Sequence, residues 1–404
     1  MKERRNFANI ERRVKPESDG QNLQQFMSDS PWSSQAVYQQ IQKEIRAESA
    51  LQKGGVLILD ESADEKAGEA SAGAARQWNG RQGKLDICQV ATCLAFAHPV
   101  TGLWTLVDSE LFLPEHWFDE VHKELREKLV IPAERVFQTK PELGLVMIRR
   151  AVERGLPFQR IAADDLYGRN RAFRAGLSNW LYALDVPENT LVCLSARASK
   201  RFPVMNLAVR KKTRWHRVEV RSVERGLLAA DFAVERVWTP NQEGQLEALW
   251  LVMRRDSDGR LSFTLLNDPP DTAPKVLIQA SCQRHFVECV FEEAKSELGW
   301  DDFCAQKFRA WEHHTALTAA ALWFIAQVKL DWKQHYQRDP SLNEVFELEV
   351  LPNLSTANVR EFLQAILPLP KLGVEQARRL VVKHFVHRAR STSSRRKKQR
   401  ENSS

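Results

Sequence analysis

The chain has 404 residues, 43% hydrophobic and 27% charged, the composition of an ordinary globular protein with core enough for two or three domains. Its formal charge is +7, modest for the length, so where the cations lie matters more than their sum. No run of about 18 apolar residues occurs, so no membrane span is expected. The basic start, Met1-Lys2-Glu3-Arg4-Arg5-Asn6, leads into no apolar segment, so no secretory signal is expected. The six cysteines (Cys88, Cys93, Cys193, Cys282, Cys289, Cys304) form no Cys-x-x-Cys pair, which argues against zinc and a disulfide framework and for a reducing cytoplasm.

Residues 1–50 are polar and read as helical. Ser28-Asp29-Ser30-Pro31-Trp32 is a turn and cap signal, followed by Val37, Ile41 and Ile45 at helical spacing. This is either a small helical subdomain or a module that binds DNA ends. Residues 56–59 (Val-Leu-Ile-Leu) form a continuous apolar run, as in a strand buried on both faces. A connection punctuated by Gly68, Gly73, Gly80 and Gly83 follows. Two further strands, 87–97 and 103–112, are joined by Pro99-Val100-Thr101-Gly102. The spacing predicts helix over much of 115–157, with Pro141 near a helix start and a stripe of Leu143, Met147, Ile148, Ala151 and Val152. A strand over 161–165, a helix over 170–180 and a strand over 191–194 complete the order βββ-α-β-α-β, that of a ribonuclease-H-like fold. Residues 197–280 alternate as strands do (Val218-Glu219-Val220-Arg221) and read as a β-rich insertion. The core is expected to resume with a helix over 284–298, then a long apolar helix over 308–332 (Leu317, Ala321, Phe324, Ile325, Val328) and further helix to about 385. The tail from His387 to Arg400 has seven Lys/Arg and no acid, and reads as disordered. The expected division is a helical region over 1–50, a first core part over 51–196, the insertion over 197–280, a second core part over 281–335, a helical region over 336–386 and the basic tail over 387–404.

Three acids stand out. Asp60 ends the run 56–59, Asp164 ends Arg160-Ile161-Ala162-Ala163, and Glu288 lies between Arg284 and Lys295 at i, i+4 and i+11 on one face of the predicted helix. Carboxylates suit a hard divalent cation, and three from separate elements suit a two-metal phosphoryl-transfer site. Most of the 52 acids of such a chain are solvated, and it is the strand-end placement and the flanking cations that single out these three. Glu61 and Asp165 are immediate neighbours with the same chemistry. Alternation along a strand predicts that only one of each pair faces the metals, without saying which. Residues 197–217 hold eight Lys/Arg and no acid, with Trp215 among them. Arg210, Lys211, Lys212, Arg214 and Arg217 are candidates for neutralising DNA phosphates, and Trp215 for stacking on a base. A solvated basic face with Trp215 in a small core is the plainer alternative. Arg284 and Lys295 either contact phosphates or pair within their helix. For His313-His314, a core or DNA-proximal polar role is favoured over a metal role.

These motifs resemble those of the DDE transposases of bacterial insertion sequences, in the group marked by Tyr-x2-Arg-x3-Glu-x6-Lys. Leu59-Asp60-Glu61-Ser62 resembles the first-Asp motif. Ser71-Ala72-Gly73-Ala74-Ala75-Arg76-Gln77-Trp78-Asn79-Gly80 resembles the glycine-rich stretch. Ala163-Asp164-Asp165-Leu166-Tyr167-Gly168 resembles the second-Asp motif. Phe112-Leu113-Pro114 with Trp117 and Thr139-Lys140-Pro141-Glu142 also fit, and Arg284, Glu288 and Lys295 fall on the signature, with Ser281 in place of its Tyr. The resemblance implies an α/β fold with a ribonuclease-H-like catalytic core interrupted by a β-rich insertion. It also implies Asp60, Asp164 and Glu288 as catalytic ligands of two Mg2+ (Mn2+ substituting), and metal-dependent cleavage of element ends with strand transfer into target DNA. The partners implied are double-stranded DNA and a second copy of the chain on paired ends, in a bacterial cytoplasm at the nucleoid. The competing expectations are a metal-dependent nuclease without strand transfer and a non-catalytic DNA-binding derivative of a transposase.

Overall fold

The structure, a computed structural model, describes residues 10–11, 15–16, 18, 20–80, 82–198, 200–223, 226–302 and 305–367, and scattered positions between 373 and 394. Residues 1–9, Cys304 and most of the basic tail lie outside the described residues.

The fold is α/β: a ribonuclease-H-like core interrupted by a β-rich insertion, with helical N- and C-terminal regions. The core sheet begins with β1 (Val56–Glu65), β2 (Ala75–Asn79), β3 (Lys84–His98) and β4 (Leu103–Phe112), followed by β5 (Arg160–Ala163) and β6 (Leu181–Asp185). β3 lies antiparallel to β1 on one side and to β2 and β4 on the other. β1, β5 and β6 run parallel, with Leu59 beside Ala163 and Ala163 beside Leu184. β5, the first four residues of β1 and the centre of β6 are buried, as their continuous apolar runs require.

The inserted strands β9 (His216–Val223), β10 (Gly226–Pro240), β11 (Leu246–Arg255) and β12 (Leu261–Leu266) form an antiparallel meander that joins the core directly, because β12 pairs with β6. The insertion thus continues the core sheet, in the order β3-β1-β5-β6-β12-β11-β10-β9.

Several sequence expectations are corrected. The polar segment Ala75–Asn79, taken as part of a glycine-rich connection, is the edge strand β2. The last parallel core strand is Leu181–Asp185. The run expected to fill that place contributes only β7 (Leu191–Val192), which pairs with β8 (Phe202–Pro203) in a separate two-stranded sheet. The helix expected over 170–180 spans Arg171–Gly176, capped by the Asn170 side chain, leaving room for β6. Near the N-terminus the cap is Ser33, whose hydroxyl accepts the Ala36 amide, and not a residue of the expected Ser28-Asp29-Ser30 signal.

Helices cover this sheet. α1 (Ser34–Ala47) buries Tyr38, Ile41 and Ile45. α2 (Lys140–Glu153) opens on a capping box between Thr139 and Glu142 and buries Leu143, Met147, Ile148 and Ala151. Gly144 lets α2 lie against β1, since a Cβ there would meet Leu59 Cδ2 at 2.3 Å. After the short α3 (Asp165–Gly168), α4 (His285–Glu292) continues into a π-helical turn, Glu293–Glu297. α5 (Phe308–Asp331) is the long helix, but Leu317 and Phe324 of its expected apolar stripe are exposed. It buries Trp311, Thr315, Ala319, Leu322, Trp323 and Ala326 instead. His313 lies on α5 with Nδ1 2.8 Å from the Met27 carbonyl oxygen and Nε2 2.8 Å from that of Trp32. It ties the N-terminal segment to the core. Among the described residues no helix is long and apolar enough to cross a membrane.

Candidate active site

Parallel pairing sets the site. The register that aligns Leu59, Ala163 and Leu184 brings the next residue of each strand, Asp60, Asp164 and Asp185, to the same carboxyl edge. In open α/β sheets this edge is where ligands bind. Asp164 leaves the sheet at once: its Oδ1 accepts the Leu166 amide at 2.9 Å and caps α3. Its neighbour Asp165 faces out and pairs with Arg169 at 3.4 Å. Of the two, Asp164 is the one whose carboxylate turns towards Asp60 and Glu61.

At the first strand both candidates stay. Carboxylate oxygens of Asp60, Glu61 and Asp164 lie within 4.8 Å of one another. The expectation that alternation along β1 would send one of Asp60 and Glu61 away does not hold, because the longer Glu61 side chain is drawn to the cluster. Its Oε1 accepts the buried Tyr167 hydroxyl at 2.8 Å and lies 4.0 Å from Lys140 Nζ. Tyr167 and Lys140 belong to two of the motifs singled out in the sequence. Gly168, next to Tyr167, has a steric reason: a Cβ there would meet the Asp185 carbonyl oxygen at 1.9 Å.

Burial shifts these acids. The Asp60 carboxyl is pushed up to about 7, mainly by burial, with Arg284 opposing and Asp164 and Glu61 reinforcing the shift. Burial also raises Glu61, against Lys140, and raises Asp164 and Asp185, against Arg284. Crowded carboxylates that resist ionising are the donor set that a divalent cation relieves: they are hard oxygen ligands whose repulsion falls when a cation sits among them.

Glu288 is placed differently. It lies on α4 with its side chain 63% exposed, against 15% for Asp60. It is linked to the strand acids through Arg284, whose guanidinium contacts three carboxylates: Nη1 to Asp60 at 2.8 Å, Nε to Asp185 at 3.0 Å and Nη2 to Glu288 at 3.5 Å. Arg284 is thus a cation held among acids, and its own pKa is raised by Asp60 and Asp185 against the opposing effect of burial. Lys295 falls in the π turn and donates to the Ala63 carbonyl at 3.3 Å, farther along β1. A cavity of about 420 Å³ opens beside Arg284 and Glu288, walled by Asp185 and Ser281 and, from the insertion, Thr264, Arg254 and Arg260.

The basic segment is partly engaged. Arg210 pairs with Glu235 at 3.0 Å and Arg217 with Asp231 at 3.4 Å. Lys211, Lys212 and Arg214 are exposed. Trp215 is half-buried against the core, with the Arg255 guanidinium 4.5 Å over its ring.

Asp185 went unnoticed in the sequence. It carries the same mark as Asp60 and Asp164, an acid closing a short apolar strand (Leu181-Tyr182-Ala183-Leu184-Asp185). That mark could have found it.

The family model described as DDE superfamily endonuclease matches residues 1–221, more than half of the chain, and the chain belongs to that family. The match contains Asp60, Glu61, Asp164 and Asp185 and stops before Glu288. A probable transposase for insertion sequence element IS701 from Microchaete diplosiphon is 26% identical over 289 residues, 70% of this chain and 68% of the relative.

Proposed function

We propose that the chain is a transposase that cleaves DNA at the ends of an insertion sequence and joins those ends to target DNA, with Asp60, Asp164 and Glu288 as its catalytic acids. The observation that carries this reading is the alignment of strand-end aspartates at one sheet edge, with Glu288 tethered to them through Arg284. In this reading Asp60 and Asp164, backed by Glu61, hold divalent cations together with Glu288. Magnesium, or manganese in its place, supplies charge neutralisation and an activated oxygen nucleophile when bound.

The chain's own residues do the rest. Tyr167 and Lys140 keep Glu61 turned into the cluster. The Asp164 cap fixes one carboxylate against α3. Arg284 would offer its guanidinium edge to a phosphate where Asp60 is neutralised by a bound cation. Lys211, Lys212 and Arg214 on the insertion, with Arg210 and Arg217, neutralise the DNA backbone, and Trp215 is a candidate for contact with a base. Lys295 serves the same duplex from the edge of the site. In this reading the functional division is a helical N-terminal region (1–50) that helps bind the ends, a core in two parts (51–196 and 281–335) around the insertion (197–280), a helical region over 336–386 and a basic tail over 387–404. Two copies would act on paired ends, in the cytoplasm and at the nucleoid.

The test is incubation with a labelled duplex carrying the flanking element's end, plus a target plasmid, in Mg2+ and in EDTA. Metal-dependent nicking that leaves a 3′-hydroxyl, followed by joined product, is expected. Nicking without joining would make the chain a nuclease, and binding without nicking a DNA-binding derivative.

A further inference from the structure

We propose that Asp185 is a positioning residue for DNA cleavage, which holds the ε edge of Arg284 so that the η edge can pass from the catalytic acids to a DNA phosphate. The proposal rests on the reading of the site as a metal-dependent DNA-cleaving centre.

Asp185 shares the strand-end level of Asp60 and Asp164, but both of its oxygens are committed. Oδ2 accepts Arg284 Nε at 3.0 Å, and Oδ1 accepts the Thr264 hydroxyl at 2.7 Å. Thr264 is buried on β12, the inserted strand, and is the register partner of Asp185. The acid is therefore pinned from the insertion on one side and grips the arginine on the other.

The guanidinium divides its donors accordingly. A planar fork offers separate edges to separate partners. The ε edge faces Asp185, and the η nitrogens reach Asp60 and Glu288, two of the proposed metal ligands. A cation held by those ligands would neutralise their charge and weaken their hold on the arginine. An arginine with no other anchor would leave the site or compete for it. One gripped at Nε stays in place with its η donors freed for a phosphate oxygen, and the cavity beside Arg284 and Glu288 gives that phosphate room. The link from Thr264 through Asp185 to Arg284 also makes the inserted sheet part of the catalytic machinery, beyond any contact that it makes with DNA.

The experiment uses the full chain. Mn2+ binding to DNA-free protein is followed by electron paramagnetic resonance, and single-turnover cleavage of the end duplex by gel, for wild type, Asp185→Asn, Thr264→Val, Thr264→Ser and Arg284→Lys. Asp185→Asn is expected to weaken Mn2+ binding and to slow cleavage at saturating DNA by about tenfold each, the scale of one lost hydrogen bond to a charged group. Thr264→Val should move both in the same direction by a smaller factor, and Thr264→Ser, which keeps the hydroxyl, should restore both. In an Arg284→Lys background, which has already lost the fork, Asp185→Asn should add little to either. Wild-type values in Asp185→Asn, or a full additional loss in the Arg284→Lys background, would overturn the proposal while leaving the site itself standing. A wild-type chain that neither binds Mn2+ nor cleaves would remove the reading on which it rests. Should Asp185→Asn fail to fold, the contrast between Thr264→Val and Thr264→Ser decides, and identical behaviour of the two refutes the proposal.

Discussion

The strand-borne acids and the helix-borne acid reach the same site by opposite means. Asp60 and Asp164 are fixed by the sheet: parallel register aligns them, burial crowds them, and each has a backbone amide on one oxygen. Glu288 stands on a helix that joins the core from 124 residues farther on than Asp164, is mostly exposed, and among the described residues is linked to the group through an arginine. The strand side is a buried half-site held by the sheet register and by backbone amides. The helix side is exposed and is linked to the strand acids through Arg284. Preorganisation therefore belongs mainly to the sheet, and adjustability to α4.

Breaking the strand side should have the largest effect. Asp164→Asn is expected to reduce cleavage by at least about a thousandfold, since several kcal/mol of charge stabilisation depend on it, with binding of the end duplex retained in a gel-shift assay. Gly168→Ala comes next. Its Cβ would collide with the Asp185 backbone, at a cost of about 1–3 kcal/mol in urea unfolding, and it should reduce cleavage by displacing two acids at once.

Titration sharpens the contrast further. Asp60 is raised in the fold to about 7, so it stabilises the protein at pH below its unfolded value and loses that contribution as pH rises through 7. Metal-free Asp60→Asn should therefore melt a few degrees above wild type at pH 8, with the gap closing as the pH falls towards 4. Mn2+ binding by the wild type should weaken below pH 7, where a proton must be displaced from Asp60. The smallest effect is expected from the insertion's surface. Lys212→Ala or Arg214→Ala should weaken DNA binding only a few-fold and lower the salt slope by about one each, without changing the cleavage rate at saturating DNA.

Much of the strand side could be read from the sequence, because an acid closing an apolar run is a local signal. That signal was present for Asp185 as well. It was masked because the five residues of β6 follow a short helix that capping rules did not stop at Gly176, and because the apolar run at 191–194 offered a competing strand. β2 was missed for a different reason. It is an edge strand whose inward face is Ala75, Gln77 and Asn79, while the apolar Trp78 is exposed, so its hydrophobic alternation runs opposite to its burial. In the long helix Phe308–Asp331 the residues are apolar almost all round, so several stripes fit equally well, and only packing selects the face with Trp311 and Trp323. The convergence of Asp60 and Glu61 needed the hydroxyl of Tyr167, more than a hundred residues away. Arg284 makes the expected pair with Glu288 of its own helix, but its shorter contacts are with Asp60 and Asp185 on two strands, which no sequence spacing encodes.

The most direct test of the central claim is cleavage of the labelled end duplex in Mg2+ by Glu288→Ala beside the wild type, with DNA binding measured on the same preparations. The account predicts metal-dependent nicking by the wild type, abolished in the variant while binding persists. Cleavage that survives Glu288→Ala would contradict it, and would mean that the strand acids work with a different third carboxylate.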